Sequence, residues 1–285
     1  MPELPQMQAL SERLDVALAG MRLERYEMLG FSALKTAVPS PDELVGRPFE
    51  SAGRRGKYLL LVFSGGYRIA VHLSQGGRLD VERPPKATRP RGSVVRLVFT
   101  PAGDGAAPAT ALLVREFGTQ RKAGWWVLAP GDDGPLTTLG PEPDTDEFAR
   151  LVRSDPSTRR LYTWLRDQHT VAGVGRGYTD DALHRAQLSP FASLAGLDAA
   201  SRERLLESVR AVLADGLAIE RRRQGGLSEA KLGERFVIHN HAGEPCPRCG
   251  LMLRRVSFDS YEVTYCTCQT SGKELADRRL SRLLR

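Results

Sequence analysis

The chain opens Met1-Pro2-Glu3-Leu4-Pro5, and its four cysteines all fall between positions 246 and 268. Both arrangements can do chemistry. Removal of an initiator methionine ahead of a small residue leaves a secondary amine on Pro2. An α-amino group titrates at about pH 8, so a usable neutral fraction exists at neutral pH. Condensed with an aldehyde-like sugar carbon, a secondary amine gives an iminium that keeps its positive charge. That cation draws electrons, acidifies the neighbouring carbon and permits strand cleavage by elimination. Glu3 stands beside it as a proton carrier. On these five residues alone, a proline-rich start that merely sets up a helix explains the pattern better.

The cysteines are spaced Cys246-Pro247-Arg248-Cys249, then sixteen residues, then Cys266-Thr267-Cys268. Zinc favours four ligands in a tetrahedron, and thiolates on two tight turns supply that. The first half, C-x-x-C-G, is a strong knuckle pattern, while the second half is one residue short of the usual form. His239 and His241 lie just upstream and are fallback ligands. A disulfide pair is the competing reading, disfavoured by the clustering in a chain with no secretory signal. One structural zinc ion is therefore expected on Cys246, Cys249, Cys266 and Cys268. Between the pairs, Arg254, Arg255, Val256 and Phe258 fit a hairpin with a basic face. A third feature is the run 167–183, where Gly173 and Gly175 sit two apart ahead of Arg176. Glycines allow close backbone approach, and amides at a helix start bind phosphate, which Arg176 is placed to meet. A lone G-x-G is weak evidence, and no strong strand leads into it, so a dinucleotide fold is not expected.

These residues need elements to hold them. Leu4, Met7, Leu10, Leu14, Ala17 and Leu18 recur at helical spacing, predicting a helix over 4–20 that Gly20 stops. From about 21 to 130 the pattern turns to short strands such as 58–63, 67–73, 94–99 and 110–114, separated by Gly/Pro turns. The stretch 101–108 reads as a loop. Residues 131–147 are rich in Pro, Gly and Asp and read as a linker. Helical periodicity then returns over 146–223, with Asp198 as the N-cap of a helix over 199–223. The fold class expected is α+β. Its parts are an N-terminal sandwich or barrel with an N-terminal helix over 1–130, a helical domain over 148–240, a zinc hairpin over 241–270 and a basic tail over 271–285.

Composition narrows the function. The formal charge is +7, with basic clusters at Arg54-Arg55-Gly56-Lys57 and Arg221-Arg222-Arg223, which favours a polyanionic partner. Hydrophobic residues make up 41% of the chain, enough for real cores, and no apolar run approaches the roughly 20 residues needed to span a bilayer. A cytoplasmic protein without membrane association is expected.

Taken in order, the start motif, Arg55-Gly56-Lys57-Tyr58, His72-Leu73, Arg115-x-Phe117-Gly118, the 167–183 run and the cysteine module resemble the formamidopyrimidine-DNA glycosylase / endonuclease VIII family over nearly the whole chain. The resemblance implies an N-terminal β-sandwich, a helix–two-turn–helix domain and a zinc finger. It implies a monomer acting in base-excision repair on double-stranded DNA that holds a damaged base or abasic site. Such an enzyme flips the base out of the stack, cuts its glycosidic bond and nicks the strand. Pro2 would be the Schiff-base nucleophile, Glu3 the general acid/base, and Lys57 a catalytic contact to the DNA backbone. His72, Gln75, Arg115, Phe117, Arg176 and Arg254 would meet DNA, with Arg115 and Phe117 among the residues that fill the space left by the extruded base.

Several positions depart from the family pattern. Gln6 replaces a second glutamate, Gln75 the methionine wedge, Arg176 an asparagine and Glu116 a second basic residue. These changes sit on the lesion-reading and phosphate-gripping positions and leave Pro2, Glu3 and Lys57 intact. Oxidised purines are the lesions this start motif implies. The alternatives are a substrate-shifted or non-catalytic binder of damaged DNA that accepts bulky adducts and, more weakly, an RNA-binding zinc protein.

Overall fold

A computed structural model describes residues 2–103, 108–117, 122–223, 235–258 and 261–276. The chain separates into two compact units, Met1–Thr138 with Glu220–Lys231, and Leu139–Ile219 with Leu232–Arg285.

The first unit is a β-sandwich opened by a helix. Helix α1 (Leu4–Leu18) turns Met7, Leu10, Leu14 and Leu18 inward at three- and four-residue spacing, all at most 2% exposed. Each such burial is worth about 1.5–3 kcal/mol, so the apolar stripe read from sequence is what fastens the helix down. One antiparallel sheet runs β1 (Met21–Met28), β6 (Ser93–Pro101), β7 (Thr110–Glu116), β5 (Gly77–Glu82). The other runs β2 (Phe49–Arg55), β3 (Tyr58–Phe63), β4 (Tyr67–His72), β8 (Gly124–Leu128). Burial alternates with period two along β3 and is nearly continuous along β7, both internal strands of their sheets. Between the sheets lie Phe63, Phe99, Val95, Leu112 and Trp125 with the α1 stripe. Strand β6 extends into the stretch expected as loop, through Pro101; residues 104–107 lie outside the described set.

The second unit is helical. Its α2 (Asp146–Ser154) is capped by the Thr145 hydroxyl, which accepts the Phe148 N–H. Helices α3 (Leu161–Arg166) and α4 (Arg176–Ala186) flank the glycine-bearing turn, and α5 (Ala199–Arg222) follows. Asp198 caps α5 as expected, its carboxylate accepting the Ser201 N–H at 2.7 Å. Phe148, Tyr162, Trp164, Tyr178 and Leu205 form the interior. An antiparallel hairpin, β9 (Arg254–Phe258) and β10 (Tyr261–Tyr265), stands between the two cysteine pairs, as their spacing predicted. No described helix is long and apolar enough to cross a membrane. The expected basic tail lies largely outside the described residues.

Candidate active site and zinc centre

Pro2 and Glu3 stand at the N-terminal end of α1, with Glu3 as its N-cap, and both are buried. The Gln6 side-chain oxygen accepts the Glu3 N–H at 2.9 Å, satisfying one of the donors a helix start leaves open. Gln6 in turn donates its amide N–H to the Glu220 carboxylate at 3.2 Å. The sequence showed Gln6 only as a lost charge; the carboxylate beside it comes from 214 residues further on.

Lys57 lies in the two-residue turn between β2 and β3, where Gly56 supplies a left-handed φ of +56°. Two contacts orient this hairpin: the Ala52 N–H on Asp15 at 2.7 Å and the Arg54 guanidinium on Gln8 at 2.9 Å. They run in opposite senses along β2 and α1, so the Lys57 turn lies toward the Pro2 end of the helix. Lys57 is 4% exposed, unusual for a lysine. His72, at the end of β4, feels both it and the N-terminal charge. Burial first, then those two positive charges, depress the His72 pKa to about 4, so its ring is neutral at neutral pH. The ring lies 4.9 Å from that of Tyr58, its cross-strand partner.

Gln75 is exposed at the tip of the β4–β5 turn. The Phe117 N–H donates to the Gly76 carbonyl at 3.0 Å, which sets Phe117 beside that tip. Phe117 is 60% exposed, and the Arg115 guanidinium lies 4.9 Å from its ring centroid. Arg115 also pairs with Asp80 through Nε at 2.6 Å, so it braces the exposed aromatic. An exposed aromatic side chain beside a polar tip can enter a base stack. Glu116, read in sequence only as a lost base, is buried. Its carboxylate accepts the Lys122 and Ala123 N–H groups at 2.9 Å each. Gly118 lies outside the described residues.

In the second unit, Arg176 is exposed on the first residue of α4, after its N-cap Gly175. Gln168 shapes the turn before it: its amide donates to Arg166 and Val174 carbonyls, and its oxygen accepts the Gly173 N–H. An exposed cation at a helix start suits a phosphate.

The four cysteine sulfurs lie within 4.8 Å of one another. A tetrahedral zinc with bonds of about 2.3 Å needs sulfurs about 3.8 Å apart, so the donor set fits. Cys249 and Cys266 Sγ are 3.4 Å apart, too far for a disulfide. The short Cys266–Cys268 pair converges because Cys266 caps a turn of 3-10 helix at Thr267–Thr270, with the Cys268 N–H directed at Cys266 Sγ. Burial pushes the Cys266 thiol up, which a bound cation would offset. The fallback ligands are engaged elsewhere: His239 on Asp180 at 2.6 Å and His241 on Glu244 at 3.0 Å. Sequence reasoning passed over the face of α4 that holds this module. Asp180 accepts from His239 and the Thr264 N–H, Asp181 from the Val237, Ile238 and His239 N–H groups, and His184 Nε2 meets Cys246 Sγ at 3.2 Å. Arg254 is exposed on β9 and pairs with Glu274 at 2.8 Å.

A sandwich whose first helix carries a buried proline–glutamate start, a helical unit with a cationic helix start, and a four-cysteine hairpin define a class of zinc-finger DNA-repair proteins. The family profiles agree. The formamidopyrimidine-DNA glycosylase N-terminal domain matches residues 1–119, its H2TH domain 139–227, and the zinc finger found in FPG and IleRS 243–270. The chain belongs to the formamidopyrimidine-DNA glycosylase family. It is 34% identical to the formamidopyrimidine-DNA glycosylase of Symbiobacterium thermophilum, over 98% of this chain and 93% of that one. It is 43% identical to an uncharacterized formamidopyrimidine-DNA glycosylase-like protein of Mycobacterium tuberculosis, over 52% of this chain and 94% of the relative. The fold matches that of the Lactococcus lactis Fpg in complex with N7-benzyl-Fapy-dG DNA. The TM-score is 0.82 at 22% identity, covering 94% of this chain and 99% of that one.

Proposed function

We propose that this chain is a base-excision-repair glycosylase with abasic-site lyase activity, acting on duplex DNA through the Pro2 amine. The observation that carries the reading is the Pro2-Glu3 start, buried at the N-terminus of α1 with Lys57 buried in a turn oriented toward that end.

The chemistry follows from those groups. With Met1 removed, the neutral Pro2 nitrogen attacks the anomeric carbon of the lesion nucleotide. The C–N bond to the base breaks, and the departing base takes up a proton from solvent. Glu3 accepts the proton from the attacking amine and returns one to the opening sugar oxygen. The nitrogen lone pair then forms the iminium, the neighbouring carbon loses a proton, and the adjacent C–O bond to phosphate breaks. Water on the iminium frees the enzyme. Lys57 holds the DNA backbone near the lesion, and a neutral His72 avoids a further positive charge beside the amine. Phe117 and Gln75 fill the gap opened by base extrusion, while Arg176 and Arg254 grip phosphates. Cys246, Cys249, Cys266 and Cys268 hold one zinc ion, which shapes the hairpin and takes no part in the reaction. The protein works as a monomer in the bacterial cytoplasm, at the nucleoid, with oxidised purines as its substrates.

The test is incision of a duplex holding one formamidopyrimidine or 8-oxo-purine, followed for base release and strand nicking separately. Both are expected. Tight binding with neither product would overturn the reading in favour of a non-catalytic binder.

A further inference from the structure

We propose that Glu220 is a positioning residue of the amine site. Through the Gln6 side-chain amide it fixes the backbone of Glu3, so that Gln6 and Glu220 act as one amide–carboxylate pair. The inference rests on the Pro2 reading above.

The geometry starts from burial. Glu220, Gln6 and Glu3 are 2%, 1% and 6% exposed. A carboxylate so enclosed must be given donors. Gln6 supplies one through Nε2 at 3.2 Å, and its Oε1 accepts the Glu3 N–H at 2.9 Å. A primary amide has a donor end and an acceptor end, and the two are interchangeable by a flip. Only one orientation serves here. If the donor end faced Glu3, two N–H groups would meet, and the amide oxygen would face a carboxylate. Glu220 therefore selects the orientation in which Gln6 can cap α1, and that cap sets the residue next to the nucleophile.

The last turn of α5, which belongs to the first unit, is fixed along α1 independently. The Arg13 guanidinium donates to the Glu220 main-chain carbonyl, and position 13 is two helical turns from position 6 on the same face. Arg221 forms a two-pronged pair with Glu12 at 2.9 and 2.6 Å. Glu220 is thus held at the end of a clamped segment, as a group that must orient another has to be. The pair also accounts for an amide at position 6. A second carboxylate there would face that of Glu220 with both enclosed, and the two could not both stay ionised.

Exchange of the pair tests this. Single-turnover nicking at an abasic site is read for wild type, Gln6→Glu, Glu220→Gln, Glu220→Ala and the double variant Gln6→Glu/Glu220→Gln. Affinity for a duplex with a stable abasic analogue is read in parallel. Gln6→Glu and Glu220→Ala should nick about tenfold or more slowly with affinity nearly unchanged, since small misplacements at a reacting centre have effects of that size or larger. The Gln6→Glu deficit should shrink as pH falls and the facing carboxylates share a proton. Glu220→Gln, which keeps an acceptor, should stay near wild type. The double variant should recover most of the loss, because a carboxylate at 6 again faces an amide at 220. A double variant no faster than Gln6→Glu, or a Glu220→Ala protein nicking at the wild-type rate, overturns the proposal. The Glu220→Gln and pH arms hold even if Glu220→Ala fails to fold. Wild type that does not nick would instead overturn the Pro2 reading itself.

Discussion

Removing the Asp181 carboxylate should loosen the zinc module. That carboxylate accepts the Val237 and Ile238 N–H groups at 2.8 and 2.9 Å and the His239 N–H at 3.3 Å. Asp181 is 4% exposed and Ile238 is fully buried, so water has little access to replace the lost acceptor. An unsatisfied buried donor costs about 1–3 kcal/mol. Val237 is exposed and can find solvent, and the His239 bond is long, so the Ile238 N–H carries most of the loss and Asp181→Ala should cost about 1–3 kcal/mol in the second unit. Asp181→Asn keeps one acceptor oxygen but turns an N–H group toward other donors, so about half that loss is expected. The burial that pushes the Asp181 pKa up is outweighed in the fold by what its oxygens hold in place. Urea unfolding monitored on the second-unit tryptophan, Trp164, measures the stability. Zinc release to a chromogenic chelator measures the module. Asp181→Ala should lower the first and speed the second, with Asp181→Asn between. An Asp181→Ala protein within 0.5 kcal/mol of wild type by about the error of such extrapolations, and releasing zinc at the same rate, would refute the reasoning.

Other expectations follow from particular contacts. His72 has its pKa depressed to about 4 by burial and by the charges of Lys57 and the N-terminus. A depressed histidine contributes stability that is present above its unfolded pKa and lost as pH falls toward the folded one. Wild type should therefore lose up to about 3 kcal/mol between about pH 6.5 and 4 relative to His72→Asn, measured by urea unfolding at stepped pH. A Cβ on Gly77 would lie 1.8 Å from the Leu73 carbonyl oxygen, a main-chain atom that cannot swing aside. Gly77→Ala should open the turn that carries Gln75, cost about 1–3 kcal/mol, and weaken binding to lesion duplex more than to undamaged duplex in anisotropy titrations. Chelation of the zinc, or Cys266→Ser, should abolish the protection of β9 and β10 amides from hydrogen exchange while leaving the sandwich strands protected.

Much of the fold is readable from local pattern. The α1 stripe, the alternation along β3, the Asp198 cap and the cysteine pairs each follow from residues within a few positions of one another. What escapes is carried by contacts between distant residues. Nothing near Gln6 announces Glu220, and nothing near Asp180, Asp181 or His184 announces the cysteine module that this face of α4 holds. Buried polar groups have no periodic signature, because a hydrogen bond depends on where the chain returns. His239 and His241 illustrate the converse. Their nearness to Cys246 in sequence suggested ligands, whereas the metal-ligating cluster among the described residues is the four cysteines, and Asp180 and Glu244 meet the histidines at Nδ1. The Cys266–Cys268 pair, one residue short of the usual form but expected to chelate, joins the cluster through the turn that Cys266 caps.

The Pro2 amine is the centre of the account, and it can be caught in the act. The processed protein is incubated with a duplex holding one abasic site in the presence of borohydride, digested, and its DNA-linked peptide sequenced by mass spectrometry. The account predicts a reduced adduct on the nitrogen of an N-terminal Pro2, lost when the amine is blocked by retained Met1. A cross-link mapped to a lysine side chain instead, or nicking that proceeds with no trapped species, would contradict it.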